Sequence, residues 1–369
     1  MRSRTGRLTA LLLLAAAALL ALVMWGCSRE ESPLAPTVAQ LDVDKSAANP
    51  DVRAVMDVQD RHTQNLMADP TVTGTATTFT DDGRPAIMVL ILEEGTAATL
   101  PQEIEGVPVV VVVTDRIVAM GKPGSGVSHV AKQTPPIQLG TSGGWRYDLA
   151  NGYCCGGTLG ALISVGGQKR ILSNYHVFEA DIVSGGNSRV AATGDFIIQP
   201  GLIDVSCNAS SAQNVATLVK TSSLPGANVD CSSAAIISGM VNESGAILEI
   251  GTISASTVAA AVNQSVKKSG RTTGLTRSSV SGLNATISVA YENECAGGTA
   301  FTKTFTGQIL VSNKAGKFLA GGDSGSLMVE NVTTNPRAVG LLFAGSSSIA
   351  VANPINAVLS FLNASMVGN

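Results

Sequence analysis

The chain has 369 residues, of which 14% are charged and 4% aromatic, and its formal net charge is −3. Nucleic acid is an improbable partner at this charge balance, because binding it requires a basic face. The 39 glycines and the scarcity of charged residues favour many short strands and tight turns over a helical bundle. A chain of this length can hold two domains, or one double barrel with an appendage.

The N-terminus has the pattern of an export signal. Arg2, Arg4 and Arg7 precede an apolar run over Leu8–Trp25, as in a basic n-region followed by an apolar h-region. Three interpretations remain open: a lipoprotein whose Cys27 is lipidated after a segment that resembles a lipobox, a plainly secreted protein, and a retained signal anchor. All three place the rest of the chain outside the cytoplasm, and we assign residues 1–27 to this signal.

Residues 28–48 are polar and aperiodic, as in a linker, and 49–118 predict a small α+β domain. Two interpretations of that domain remain open. It is a pro-region that assists folding or blocks a cleft, or it is a passive spacer or docking domain. The predicted elements, in chain order, are a helix from Asn49 to Asp69, strands over Val72–Thr80 and Pro85–Leu92, a helical segment over Leu100–Glu105 and a strand over Val107–Thr114.

Glycine, proline and serine recur over 119–143, which predicts a second linker. The remainder, 144–369, alternates short apolar stretches with turn residues, which predicts a mostly β sandwich or barrel domain. The predicted strands are Thr158–Val165, Arg170–Asn174, Asp195–Ile198, Ala234–Ile237, Ala246–Ile250, Val280–Val289, Gln308–Val311, Ser326–Val329 and Ala338–Ala344.

A nucleophile is predicted in the run from Gly321 to Leu327, which reads Gly-Gly-Asp-Ser-Gly-Ser-Leu. A serine hydroxyl is a weak nucleophile and must lie on a tight turn within reach of a base. The glycines allow such a turn and let backbone N–H groups face a developing oxyanion. We therefore predict that Ser324 is the nucleophile.

The base is predicted from the positions of the three histidines. His62 lies on the first predicted helix, where we expect a structural role, and His129 lies in the second linker. Only His176 lies in the β-rich domain, directly after a predicted strand, and it is the candidate base.

Several stretches around these residues resemble the trypsin-like (chymotrypsin-fold) serine peptidases, in particular their bacterial secreted and lipoprotein branch. They are Cys155-Gly156-Gly157-Thr158-Leu159, Ser173-Asn174-Tyr175-His176, Lys268–Thr276, Val339–Gly345 and Asn353-Pro354-Ile355. The resemblance covers about residues 155–362. It implies a double β-barrel, a Ser-His-Asp triad, and an oxyanion hole formed by the N–H groups of Gly322 and Ser324.

The orienting acid of that triad is predicted from its position in the chain. In the family it precedes an apolar strand and lies between the histidine and the serine. Asp230 fits best, although Cys231-Ser232-Ser233 interrupts the usual pattern, and Asp204 is the alternative.

By the same resemblance, Phe318, Phe343, Ala344 and Gly345 line a substrate pocket that prefers an uncharged P1 side chain. We expect no cofactor, and no metal site because the chain has no CxxC pair. With Cys27 lipidated, five cysteines remain, which predicts up to two disulfides and one free thiol.

The predicted function is that of an exported serine endopeptidase acting on protein or peptide substrates, with membrane attachment through lipid on Cys27. The alternative is a catalytically inactive binding or scaffold protein with the same fold. The sequence leaves the oligomeric state open.

Overall fold

A computed structural model of the chain describes residues 44–118, 128–150, 153–179, 189–291 and 301–369. The predicted signal with Cys27 lies outside the described residues, as do Asp181 and Cys295. Within them, three α-helices accompany twenty strands, which confirms the mostly β fold class.

The helices are α1 (Pro50–Leu66), α2 (Tyr175–Phe178) and α3 (Ile355–Leu362). The N-terminal strands are β1 (Val72–Phe79), β2 (Pro85–Ile91), β3 (Glu103–Ile104) and β4 (Val107–Val113). The next group is β5 (Thr141–Trp145), β6 (Leu149–Ala150), β7 (Tyr153–Cys154), β8 (Gly157–Leu159), β9 (Ala161–Val165), β10 (Gln168–Ser173), β11 (Phe196–Gln199), β12 (Gln213–Val219) and β13 (Ser232–Ile236). The last group is β14 (Ser265–Gly270), β15 (Gly274–Tyr291), β16 (Phe301–Ser312), β17 (Leu327–Glu330), β18 (Ala338–Gly345), β19 (Ile349–Pro354) and β20 (Ala364–Met366).

The first barrel is a ring of antiparallel strands in the order β5, β8–β9, β10, β13, β12, β11 and back to β5. Strands β8 and β9 meet at Gly160 and act as one bent strand, pairing with β5 at one end and β10 at the other. The buried side chains of Leu162, Ile171, Ile197 and Leu218 belong to the core of this barrel. Closing a sheet on itself leaves no free edge.

The second barrel is a ring in the order β14, β17, β18, β19, β16 and β15, and β15 pairs again with β14. Val266, Val280, Met328 and Leu342 are fully buried in its core. Together the two rings confirm the predicted double-barrel architecture.

The N-terminal segment extends the sheet of the second barrel. Strand β1 pairs antiparallel with the second half of β15, and β2 and β4 continue the sheet outwards. Helix α1 begins after Asn49, whose side chain accepts a hydrogen bond from the Asp51 N–H at 2.9 Å, and it packs on β1 and β2. The order of elements over 49–118 therefore agrees with the α+β pattern, whereas the division of the chain into domains stays a prediction.

Two predicted elements are wrong. A 3₁₀ helix forms over Glu94–Thr99 instead of a helix over Leu100–Glu105, since Glu105 and Gly106 both have positive φ and turn β3 into β4. The predicted strand Ala246–Ile250 is a turn with Glu249 at φ 63°, and Ile247 and Ile250 are buried in a cluster shared with the core of the first barrel.

The two barrels meet at the turn that carries Ser324. A Cβ atom added to Gly160 would lie 2.1 Å from the carbonyl oxygen of Gly325. The bend in the first barrel therefore packs directly on the turn that carries Ser324, and only glycine fits there.

Candidate active site

His176 and Asp230 are brought together by two neighbouring strands of the first barrel. His176 lies on α2, just after β10, and Asp230 lies just before β13, which pairs with β10. Nδ1 of His176 is 2.6 Å from Oδ2 of Asp230. The Tyr175 N–H donates to Oδ1 of Asp230 at 2.7 Å, and the Asn174 side chain donates to the Asp230 carbonyl at 2.7 Å. Strand pairing thus sets the geometry of the predicted acid–base pair.

The carboxylate of Asp230 is fully buried. A charge in such a place needs several donors, because burial removes its hydration. Besides His176 and Tyr175, the Tyr291 hydroxyl donates to Oδ2 at 2.8 Å, and Asn353 accepts from the Asp230 N–H at 2.9 Å. The interruption at Cys231-Ser232-Ser233 does not prevent this arrangement, since β13 begins at Ser232.

Asp204, the alternative acid, has a different partner. Arg271 donates to both of its carboxylate oxygens, at 2.6 and 2.7 Å, and Ser142 donates to Oδ2 at 2.5 Å. The Arg271 side chain is only 4% exposed. Asp204 therefore links the first barrel to the second.

Ser324 lies at the same junction of the barrels as His176. The Ser324 carbonyl accepts from the Thr158 N–H at 2.8 Å, and a Cβ added to Gly157 would touch both Val177 and this carbonyl. The Ser324 hydroxyl donates to the Phe343 carbonyl at 3.4 Å, and in the described part of the chain Nε2 of His176 has no hydrogen-bond partner. The hydroxyl and the imidazole are thus not hydrogen-bonded to each other.

In the turn around Ser324, the N–H groups of Gly321, Gly322 and Ser324 have no acceptor among the described residues, and those of Gly322 and Ser324 flank Asp323. The intervening Asp323 N–H donates to Ala320, and the Gly325 N–H donates to Leu342, both at 3.0 Å. Gly322 has φ 88°, a conformation that favours glycine. Two unpaired donors on one tight turn suit an oxyanion.

Side chains from both barrels donate hydrogen bonds to the backbone carbonyls of this turn. Thr158 donates to the Gly322 carbonyl at 2.9 Å, and Thr272 donates to the Gly321 carbonyl at 2.5 Å. A Cβ at Gly322 would lie 2.6 Å from Nη1 of Arg271. The arginine that pairs with Asp204 therefore also packs against the turn.

Asp323 forms a buried ion pair with Lys268. Nζ of Lys268 lies 3.0 Å from Oδ2 of Asp323, and both side chains are fully buried. Burial lowers the pKa of Lys268, and the charge of Asp323 opposes this shift. Asp323 also accepts from the Thr272, Thr273 and Ala320 N–H groups. The residue before Ser324 is thereby anchored to β14.

Sequence reasoning missed Lys268, Arg271 and Tyr291 as parts of this site. One signal was available for the lysine: Lys268 occupies an alternating position of a strand between Val266 and Gly270, both of which are buried. A charge at a core position requires a partner. Tyr291 carries no comparable local signal.

The four predicted pocket residues are all buried. Phe318 belongs to the core of the second barrel and is 3% exposed, and Phe343 packs against Phe305 with ring centroids 4.9 Å apart. Ala344 is fully buried, and Gly345 pairs with Val118. Their role in specificity stays a prediction.

The other two histidines lie in ion pairs away from Asp230. His62, on α1, has its Nε2 2.8 Å from Oε1 of Glu105. The buried His129 has its Nε2 2.7 Å from Oε2 of Glu249 and its Nδ1 2.7 Å from the Gly140 carbonyl oxygen. We assign a structural role to both histidines.

Cys154 and Cys207 form a disulfide, and Cys155 is disulfide-bonded as well. Cys231 is a buried free thiol whose pKa is raised well above its ordinary value, chiefly by burial and then by Asp230 and Glu179. Its reactivity is therefore low.

Over the described ranges we find no helix long and apolar enough to cross a membrane. The same ranges contain no group of three or more histidine, cysteine, aspartate or glutamate side chains placed to hold a metal ion.

Comparison with known proteins gives one family match. Residues 204–353 match the family model described as the Nal1 C-terminal domain, which is less than half of the chain. The matched segment includes Asp230, Lys268 and Ser324 but begins after His176. No curated protein matches the chain.

Several solved structures are similar to the chain. Protease A of Thermobifida fusca is 22% identical with a TM-score of 0.42, over 63% of this chain and 99% of its own. The Cellulomonas bogoriensis chymotrypsin is 20% identical with a TM-score of 0.38, over 63% of this chain and 99% of its own. The Nocardiopsis protease is 17% identical with a TM-score of 0.39, over 61% of this chain and 97% of its own. With TM-scores below 0.5, these similarities leave the activity to be argued from the site.

Proposed function

We propose that this protein is an exported serine endopeptidase that hydrolyses peptide bonds through an acyl-enzyme on Ser324. The observation that carries the proposal is the His176–Asp230 hydrogen bond of 2.6 Å, with Nε2 of the same imidazole left unpaired at the barrel junction. An imidazole oriented by a buried carboxylate and free at its other nitrogen can act as a general base.

In this mechanism the Ser324 hydroxyl leaves the Phe343 carbonyl and turns towards Nε2 of His176. The hydrogen bond that it gives up is 3.4 Å long and therefore weak. The hydroxyl oxygen attacks the substrate carbonyl carbon while its proton passes to Nε2, and the resulting oxyanion accepts from the Gly322 and Ser324 N–H groups. His176 then protonates the leaving amine, and water releases the acyl group.

Labelling with a fluorophosphonate probe tests the proposal. Wild-type protein should be labelled on Ser324, and His176→Ala and Asp230→Asn should reduce the rate by at least about 1,000-fold. Ser256→Ala, at an exposed serine, is the matched control and should label like wild type. Folded protein that is labelled neither as the full chain nor as a chain beginning near residue 135 would refute the endopeptidase.

The alternative function is that of an inactive binding or scaffold protein of the cell envelope. It is favoured by the orientation of the Ser324 hydroxyl, which donates to Phe343 rather than to His176. Peptide binding by calorimetry without labelling or cleavage would support this alternative.

We further propose that the substrate is a protein or peptide and that the chain acts outside the cytoplasm, anchored through lipid on Cys27. Mass spectrometry of the mature N-terminus distinguishes the three possibilities. A diacylglyceryl group on Cys27 supports anchoring, and a free N-terminus beyond residue 27 supports secretion. An unprocessed chain supports a retained anchor.

We also propose that the segment before the second linker blocks the cleft, as a pro-region would. The Val118 N–H donates to the Gly345 carbonyl at 3.0 Å, and the Gly345 N–H donates back to Val118 at 2.9 Å. Gly345 lies two residues after Phe343, whose carbonyl accepts from Ser324. Peptides bind to exposed strands through such main-chain pairs, so Val118 occupies groups that a substrate would use.

Val118→Pro tests this contact, because proline has no N–H to donate. The labelling rate of Ser324 should rise several-fold relative to Val118→Ala, the control that keeps the N–H. Equal rates in the two variants would argue for a passive spacer. A chain beginning near residue 135 with the activity and refolding yield of the full chain would point the same way.

A further inference from the structure

Asp230 has a hydrogen-bond donor that comes from the other barrel. Its Oδ1 accepts from the Tyr175 N–H, and its Oδ2 accepts from His176 at 2.6 Å and from the Tyr291 hydroxyl at 2.8 Å. Tyr291 is the last residue of β15 and thus belongs to the second barrel, whereas Asp230 and His176 belong to the first. One hydroxyl therefore connects the acid of the first barrel to the long strand of the second.

The Tyr291 ring is held on several sides. It stacks on Phe301 with centroids 5.0 Å apart and an interplanar angle of 8°, and it meets His176 edge-on at 5.9 Å. Its paired position on β16 is Phe301 itself. The residue is 3% exposed, so its hydroxyl is aimed at the carboxylate by packing.

Burial, and then the charge of Asp230, raise the pKa of Tyr291 well above its ordinary value. The phenol therefore stays protonated and donates throughout the pH range in which a histidine base titrates.

We propose that Tyr291 is a positioning residue of the Ser-His-Asp site, which orients Asp230 and moderates the charge that Asp230 presents to His176. This inference rests on the proposed function. When a second donor forms a hydrogen bond with the same carboxylate oxygen, that oxygen binds the imidazolium less strongly. The carboxylate is also prevented from rotating away from Nδ1, because Oδ1 and Oδ2 are both engaged.

Removing the hydroxyl in Tyr291→Phe concentrates the carboxylate charge on His176 and favours the protonated imidazole. The acid limb of the pH profile for Ser324 labelling should then move to higher pH by about half a unit to one unit. The labelling rate at its plateau should fall by about 10-fold, since Asp230 is less well oriented. The Cys231 thiol follows Asp230 in the chain and is influenced by both Asp230 and Glu179, and neither Cys231 nor Glu179 is altered by this variant.

Phe301→Leu is the matched control. It removes the stacking partner of Tyr291 but keeps the hydroxyl and the ring contacts with His176 and Phe305 that still orient it. The urea midpoint should therefore fall while the pH midpoint of labelling stays within about 0.2 unit. Tyr291→3-fluorotyrosine supplies a more acidic phenol and a stronger donor of nearly the same volume. Its acid limb should move to lower pH, and it keeps the proposal testable if Tyr291→Phe does not fold.

A second measurement does not depend on activity. The proton between His176 and Asp230 should give a low-field proton NMR resonance in wild-type protein, and this resonance should shift in Tyr291→Phe but not in Phe301→Leu. If the protein is labelled neither as the full chain nor as a chain beginning near residue 135, the endopeptidase fails while the resonance still tests Tyr291. A pH profile and a resonance that are both unchanged in Tyr291→Phe would overturn the inference.

Discussion

The buried ion pair between Lys268 and Asp323, beside Ser324, offers the sharpest test of the structure. Lys268→Met removes the ammonium group that lies 3.0 Å from Asp323, in a place where both side chains have no solvent exposure. The carboxylate is then left buried with one charged donor fewer. Breaking a buried pair from one side costs about 3–5 kcal/mol of unfolding free energy.

We expect the lower end of that range, about 3 kcal/mol, because Asp323 keeps other donors. Three backbone N–H groups and the Thr273 hydroxyl still point at it, the latter at 2.7 Å. Lys268 itself also donates to the Gly274 carbonyl at 3.2 Å, and methionine removes that hydrogen bond.

Urea unfolding followed by circular dichroism measures the change. The double variant Lys268→Met with Asp323→Asn should recover more than half of the loss, because it removes the orphaned charge. Lys267→Met is the matched control: this neighbouring ammonium donates to the Val332 carbonyl at 2.8 Å, and we expect a change of no more than about 1 kcal/mol. A Lys268→Met protein as stable as the control would refute this account of the pair.

Two further predictions concern the nucleophile turn and the N-terminal helix. Gly322→Ala should reduce Ser324 labelling by about 100-fold, since its Cβ would meet a guanidinium nitrogen and a hydroxyl at 2.6 Å and displace an oxyanion donor; Gly83→Ala, at φ 86° in open space, should leave labelling unchanged. The pKa of Glu105 is lowered from 4.5 to about 2, chiefly by the hydrogen bond from Arg61 and then by that from His62. Because this folded-state pKa is depressed, the stabilising contribution is fully present above pH 4.5 and is lost as the pH falls towards 2. A carboxyl NMR titration should give a midpoint near 2 in wild-type protein and a clearly higher one in Arg61→Ala; coincident midpoints would count against the pair.

Much of the fold could be predicted because strands have local signals. Alternating apolar residues and glycine turns predicted most of the strands of both barrels, including the central part of β15. They did not locate β12 or β19, although both contain apolar residues. They also did not locate β5 or β14, whose buried faces contain serine, glycine and lysine rather than a regular apolar pattern. A pattern of hydrophobicity cannot reveal a strand that is buried with polar partners.

The candidate site also contains some residues that local sequence signals predict and others that depend on the tertiary structure. Ser324 and His176 were predicted because each lies in a short stretch with a local chemical meaning. The choice between Asp230 and Asp204 depended on which strand pairs with β10, and this is a property of register between distant segments. Asp230 lies beside His176 since β13 is the neighbour of β10, whereas Asp204 lies against Arg271 from the second barrel.

By itself, the sequence determined that the chain is rich in β-strands, that Ser324 lies on a tight turn and that His176 follows a strand. Only the tertiary structure decided the closure of two barrels, the Lys268–Asp323 pair, the Tyr291 donor and the contact of Val118 with Gly345. The physical reason is that backbone conformation depends on near neighbours in the chain. A buried charge or hydroxyl is satisfied instead by whatever donor the packing brings within about 3 Å, at any distance along the sequence.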